Sequence, residues 1–156
     1  MQLRGVVSSG LGRASVFMAQ DHYQDQFEQI VGARVWPGTL NIRVEGEDLV
    51  RYISLRHLSG IDTLGLDEKL LESSSTVEVS GLEPHRVRGF LRDGISFGGA
   101  TAFIASIEVN GNKVNHSAVL IPDLTRHTDV VEFISPEFLR ETLDVEDGDE
   151  VTIHLE

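Results

Sequence analysis

The chain contains no cysteine, which excludes disulfides, thiolate nucleophiles and cysteine metal ligands. It has no apolar run long enough to cross a bilayer. Its opening residues, MQLRGVVSSG, read as a strand and not as a secretory leader. No proline- or serine-rich linker interrupts the sequence, so a single domain over residues 1–156 is expected. Lysine is scarce although arginine is not, and the formal net charge is −12. Such a balance argues against a general nucleic-acid partner, whose footprint is basic, while leaving a small phosphorylated ligand open. With 40% hydrophobic and 24% charged residues, the composition suits a soluble, cytoplasmic domain with a real core and no membrane partner.

What is present is mostly short, β-branched or aromatic runs. They predict strands over 3–8, 15–19, 40–44, 76–80, 86–91, 101–109, 113–121, 130–134 and 150–155. Asn110-Gly111 supplies the positive φ angles of a tight hairpin turn. Helices are fewer. DHYQDQFEQIVG predicts one capped by Asp21 and ended by Gly32, and SPEFLRETL predicts another with Ser135 as cap and Pro136 in first position. LDEKLLESSS suggests a further helical turn, and EDLVRYISL is ambiguous. Many short strands with two or three peripheral helices predict a mainly β fold, a small closed barrel. A possible internal echo pairs GVVSSGLGRASVFMA with GFLRDGISFGGATAFIA through the pattern A-x-x-F-x-A.

Three segments could carry chemistry. SSGLGRAS, residues 8–15, is glycine-rich between two expected strands and could turn backbone N–H groups toward an anion. It lacks the GK[ST] ending of a phosphate-binding P-loop and is followed by an expected strand, not a helix. In ARVWPGTLNIRV, Thr39 and Asn41 stand two apart where a turn becomes a strand, so both side chains share one face. Two neutral oxygens suit Mg²⁺ that completes its shell with water and phosphate, though they could equally satisfy local backbone groups. In the third, IPDLTRHTDVVEFISPEFLRETL, Thr125, Arg126 and His127 cluster before a strand carrying Glu132. Zinc spacing, a Gly-x-Ser-x-Gly elbow and an EF-hand loop are all missing, and the remaining histidines are scattered.

Taken together, GVVSSGLG, HYQDQF, PGTLN, IPDLTRH, VVEFISPEFLRETL and DGDEV occur in the order found in the archaeal-type CTP-dependent riboflavin kinases, and the chain resembles that family from Gly5 to Ile153. The resemblance implies a six-stranded cradle-loop β-barrel and γ-phosphoryl transfer from CTP to the 5′-hydroxyl of riboflavin, giving FMN and CDP. It implies nucleotide binding by Ser9, Gly10, Leu11, Gly12, Arg13 and Ala14, and by Glu137, Phe138, Leu139 and Arg140 at a helix start. It implies Mg²⁺ as cofactor on Thr39 and Asn41, flavin contacts from Thr125 and Glu132, and a catalytic role for Glu132 on the acceptor hydroxyl. Two departures stand out: Arg13 occupies a position usually acidic, and Trp36 replaces the more usual aromatic before Pro37. Residues 45–75 match poorly, and nothing is carried over there. A non-catalytic flavin- or nucleotide-binding module, or a kinase with another donor, is the alternative.

Overall fold

A computed structural model describes residues 1–10, 14–61, 66–125 and 127–155. Nine strands and five helices are formed among them: β1 (Gln2–Ser8), α1 (Ala14–Met18), α2 (Asp21–Val31), β2 (Leu40–Arg43), α3 (Gly46–Leu58), α4 (Glu68–Ser74), β3 (His85–Val87), β4 (Phe90–Arg92), β5 (Ile95–Phe97), β6 (Ala100–Val109), β7 (Asn112–Pro122), β8 (Val130–Ile134), α5 (Leu139–Thr142) and β9 (Glu150–Leu155). None of these helices is long and apolar enough to cross a membrane.

Six strands hydrogen-bond in the antiparallel order β6-β7-β8-β2-β1-β9, and β9 returns to β6, closing a barrel. β3 adds on outside β6, while β4 and β5 form a separate hairpin. The long β6–β7 hairpin turns at Asn110 (φ 50°) and Gly111 (φ 83°), the positive angles expected of this dipeptide.

Alternation along the strands produces two cores. Inward-facing Leu3, Ile42, Phe103, Ile107, Ile121, Phe133 and Ile153, all at most 1% exposed, fill the barrel. A six-stranded barrel this narrow is filled by side chains and has no lumen. Helix α3 adds Tyr52, Ile53 and Leu55 to the same core. Outward-facing Ala100, Ala102, Ala118, Leu120 and Ile134 form a second cluster with Tyr23, Phe27 and Val31 of α2. The three alanines leave a flat patch, so the aromatic face of α2 can lie close to the wall. Gly32 ends α2 at φ 90° and donates its N–H to the Glu28 carbonyl.

Several expectations are corrected. Residues 15–19 are not a strand: α1 places Ala14 and Met18, four apart, on the second core, and barrel closure leaves no edge for a strand there. Residues 76–80 form no strand, because Val77 donates to the Ser74 carbonyl and the Ser80 N–H to the Glu78 carboxylate, local bonds that replace a ladder. The run 86–91 divides into β3 and β4, and EDLVRYISL is helical within α3. Gln20, not Asp21, flanks α2; Asp21 sits in its first turn. Ser135 does not cap a helix at Pro136. Its hydroxyl accepts from the Glu137 N–H, a local turn, and α5 begins only at Leu139. Five helices therefore replace the expected two or three. The internal echo also fails where it is strongest, since ASVFMA is mostly helix and ATAFIA is strand.

Candidate functional site

The site lies on the outer wall of the barrel. Cross-strand register aligns Ser8 with Asn41 and Asn41 with Glu132, then Glu132 with Leu120 and Leu120 with Ala102. Directly opposed residues present their side chains on the same face. Inward neighbours Leu40, Ile42, Val131 and Phe133 go to the barrel core, so Asn41 and Glu132 point out. Leu120 lies under α2, and beyond its edge the wall is open at Glu132 and Asn41.

Two cavities meet there. One, of about 490 Å³, is polar and lined by Ser9, Gly10, Asn41, His127 and Arg140. The other, of about 520 Å³, is lined mainly by apolar groups including Phe17, Tyr23, Phe27, Phe97, Leu120 and Leu124. Ala14, Thr39 and Glu132 line both. The apolar cavity has an ordered aromatic wall: Phe90 stacks on Phe97 at 4.6 Å and 10°, and Tyr23 meets Phe90 edge-on at 5.4 Å. The Tyr23 hydroxyl donates to the Gly98 carbonyl at 2.6 Å, tying α2 to the segment after β5.

Thr39 is the hinge of the polar side. Its hydroxyl donates to the Asn41 carbonyl oxygen at 2.9 Å and also lies within bonding reach of the Glu132 carboxylate. The bond brings together a hydroxyl and an amide oxygen, neutral hard donors of the kind Mg²⁺ accepts. Two neutral oxygens beside a carboxylate, facing an open polar cavity, fit a hard cation that keeps its other positions for water and phosphate. Gly10 packs so closely on Asn41 that a Cβ there would overlap the amide nitrogen.

Burial pushes the Glu132 carboxyl above the usual glutamate range. The nearby His127 charge and the Thr39 hydrogen bond oppose that rise. Arg140 donates to Asp147 at 2.8 Å, and the Ser9 hydroxyl donates to the other Asp147 oxygen. These bonds hold the Asp147 carboxyl below its usual range. Arg140 also borders a small pocket of about 70 Å³ beside the stacked, half-exposed pair Trp36 and Phe138, whose rings lie 4.6 Å apart.

The structure thus brings together Ser9, Gly10, Ala14, Thr39, Asn41, Glu132 and Arg140 at the polar cavity. Glu137, Phe138 and Leu139 line the adjoining small pocket. Glu137 and Phe138 precede α5, and Leu139 and Arg140 open it. The glycine-rich loop runs into helix α1, where a strand was expected; Leu11, Gly12 and Arg13 lie outside the described residues. Thr125 lies in the loop after β7 but outside both cavity linings, its N–H on the Pro122 carbonyl; its neighbour Leu124 lines the apolar cavity.

Sequence reasoning gave no role to four contributors. Asp147 sits in an acidic turn that reads as mere surface, although DGDEV belongs to the resembling pattern. Phe90 and Phe97 lie on the small hairpin, where only their apolar character was visible. His127 stood out as part of the Thr-Arg-His cluster without an assigned role, and it lines the polar cavity.

Comparison with known proteins gives the same family as the sequence pattern. The family model CTP-dep_RFKase, described as "Domain of unknown function DUF120", matches residues 7–69 and 59–155. A riboflavin kinase of Sulfolobus acidocaldarius is 32% identical over 158 aligned residues, covering 99% of this chain and 81% of that protein. One from Saccharolobus solfataricus is 33% identical, covering 99% of this chain and 74% of that protein. For one from Sulfurisphaera tokodaii the identity is 30%, with 99% of this chain and 95% of that protein covered.

Proposed function

Because this chain belongs to the archaeal-type CTP-dependent riboflavin kinase family, we propose that it transfers the γ-phosphoryl group of CTP to the 5′-hydroxyl of riboflavin, giving FMN and CDP. One observation carries this reading: an aromatic cavity and a polar cavity share a wall at Thr39 and Glu132. A flavin is a flat apolar ring with a polyol tail, and a nucleotide is a base with a charged tail. The two cavities match those bodies, and their junction is where the two tails would meet.

In this mechanism the tricyclic ring stacks among Phe17, Tyr23 and Phe97, and the ribityl chain runs toward Glu132. Glu132 accepts a hydrogen bond from the 5′-hydroxyl and takes its proton as the oxygen attacks the γ-phosphorus. The bond from that phosphorus to the β-phosphate oxygen then breaks, CDP leaves, and the proton passes to solvent. A carboxylate lifted toward neutral pH by burial is a better base than an exposed one. Ser9 and Gly10 of the glycine-rich loop, Ala14 at the start of α1 and the Arg140 guanidinium hold the phosphates in line, since phosphoryl transfer depends mainly on positioning and charge neutralisation. Thr39 and Asn41 would hold Mg²⁺, which when bound screens the phosphate charge. Glu137 to Leu139 approach the base and ribose, and Leu124, the neighbour of Thr125 in the loop after β7, borders the flavin cavity.

The test is turnover with riboflavin and Mg²⁺ against CTP, ATP, GTP and UTP, with FMN separated by chromatography. FMN formed preferentially from CTP is the expected result. FMN formed preferentially from another nucleotide overturns the donor and keeps the kinase. No FMN from any of the four overturns catalysis, and retained riboflavin binding would then leave a binding module.

A further inference from the structure

Arg56, on α3, is 4% exposed, the one buried charged side chain among the described residues. It forms no ion pair with any described carboxylate, and its Nε is buried without a hydrogen-bond partner among the described residues. A buried guanidinium with no carboxylate partner among the described residues is costly, and an apolar side chain beside Ile53 and Leu55 would carry no such cost. What the guanidinium does reach is the loop over the polar cavity: Nη1 donates to the His127 carbonyl at 3.1 Å.

His127 needs such an anchor. Its side chain is exposed, so packing does not set the direction of the imidazole. Its main chain is held on both sides, with the N–H on the Thr125 hydroxyl at 3.4 Å and the carbonyl on Arg56. His127 lines the polar cavity that also holds Glu132, Asn41 and Arg140.

We propose that Arg56 is a positioning residue of the transfer site: from inside the core it fixes the main chain at His127, so that the imidazole faces Glu132 across the polar cavity. For what the imidazole does there, the proposal rests on the kinase reading; an N–H at that place stabilises charge developing on the transferred phosphoryl group. The anchor itself does not depend on that reading. It also gives a role to the segment 45–75, from which the family pattern offered nothing to carry over.

The experiment is a double-mutant cycle on the full chain with Arg56→Met and His127→Ala, assayed for kcat and for both KM values. Arg56→Met is expected to lower kcat on the order of 10²-fold, as misplacement of a site group does, with the KM values nearly unchanged. Arg56→Lys, whose ammonium can still donate to a carbonyl, recovers part of that loss. In the His127→Ala background Arg56→Met has no further effect; a full, multiplicative loss there overturns the proposal. A second readout needs no turnover: the His127 imidazole NMR signals of the ligand-free chain at one fixed pH. They shift in Arg56→Met and stay near wild type in Arg56→Lys, and unchanged signals in Arg56→Met overturn the proposal. If the wild type forms no FMN from any donor, the kinase reading fails alone and the NMR comparison still decides the anchor. If Arg56→Met does not fold, Arg56→Gln and Arg56→Lys serve in both measurements.

Discussion

The inside and the outside of the barrel wall are built from the same strands and do opposite work. In β8, Val131 and Phe133 face inward and are fully buried, whereas Glu132 between them faces out at the junction of the two cavities. In β2, Leu40 and Ile42 alternate with Asn41 in the same way. On the inner face the strands contribute apolar side chains of matched volume. The exterior is divided again, into a part sealed by α2 over alanines and a part left open. The site is therefore the unsealed remainder of an ordinary β-alternation, held rigid because each functional residue has core residues on both sides. A narrow filled barrel does not need a lumen to hold two ligands; it needs a wall longer than the helix that covers it.

That division can be broken in graded steps. The largest effect comes from the inner face: Phe133→Ala should cost about 3–5 kcal/mol of stability, measured by urea unfolding, through the cavity it opens. One residue away, Glu132→Gln should leave the fold intact and lower kcat by roughly 10²–10⁴-fold, the usual range for a general base. Its stability should move the other way. Burial raises the folded-state pKa of Glu132 above its unfolded value, so the folded protein holds that proton more tightly. The ionised carboxylate thus opposes folding at neutral pH, and the opposition fades as pH falls through the raised pKa toward the unfolded value. Glu132→Gln should accordingly melt no lower than wild type at pH 7, with its advantage shrinking on acidification. The acid limb of kcat/KM, set above the usual glutamate range in wild type, should disappear in the variant. A destabilised Glu132→Gln would place the side chain in the structural half of the wall.

Smaller effects sharpen the contrast between the two cavities. Thr39→Val keeps the shape and removes the hydroxyl, and should raise the Mg²⁺ concentration for half-maximal rate roughly ten-fold, equivalent to about 1.4 kcal/mol. Riboflavin KM should change little. Phe97→Leu is the converse: loss of a stacked aromatic worth about 0.5–1.5 kcal/mol should raise riboflavin KM by up to roughly ten-fold without touching the Mg²⁺ requirement. If both variants altered both parameters alike, the two cavities would be one.

The sequence was most legible where β-branched and aromatic runs built the barrel wall. β1, β2, β6, β7, β8 and β9, which close the barrel, were all expected from such runs, and Asn110-Gly111 from its turn chemistry. It misled where a short β-branched or aromatic run had no edge to join. Residues 15–18 became a helix because Ala14 and Met18 could both reach the second core. Ser135-Pro136 carried the letters of a helix start, yet the serine oxygen was used in a local turn three residues too early. Of the site, Thr39, Asn41 and Glu132 could be picked out by residue type and spacing. Their meeting could not, since it depends on the register that sets Asn41 opposite Glu132. Asp147 and Arg56 were invisible for a related reason: each reaches its partner only through closure of the chain, from Asp147 to Ser9 and from Arg56 to His127.

The wall shared by the two cavities also has a bearing on the order of events. Ala14, Thr39 and Glu132 border both, so on the kinase reading the attacking oxygen and the phosphoryl group meet at one wall, with no protein group needed to carry the phosphoryl between them. Donor and acceptor must then sit side by side before anything moves. Initial-rate lines for the two substrates should intersect and not run parallel, and a chiral γ-phosphorus should emerge inverted from its single passage.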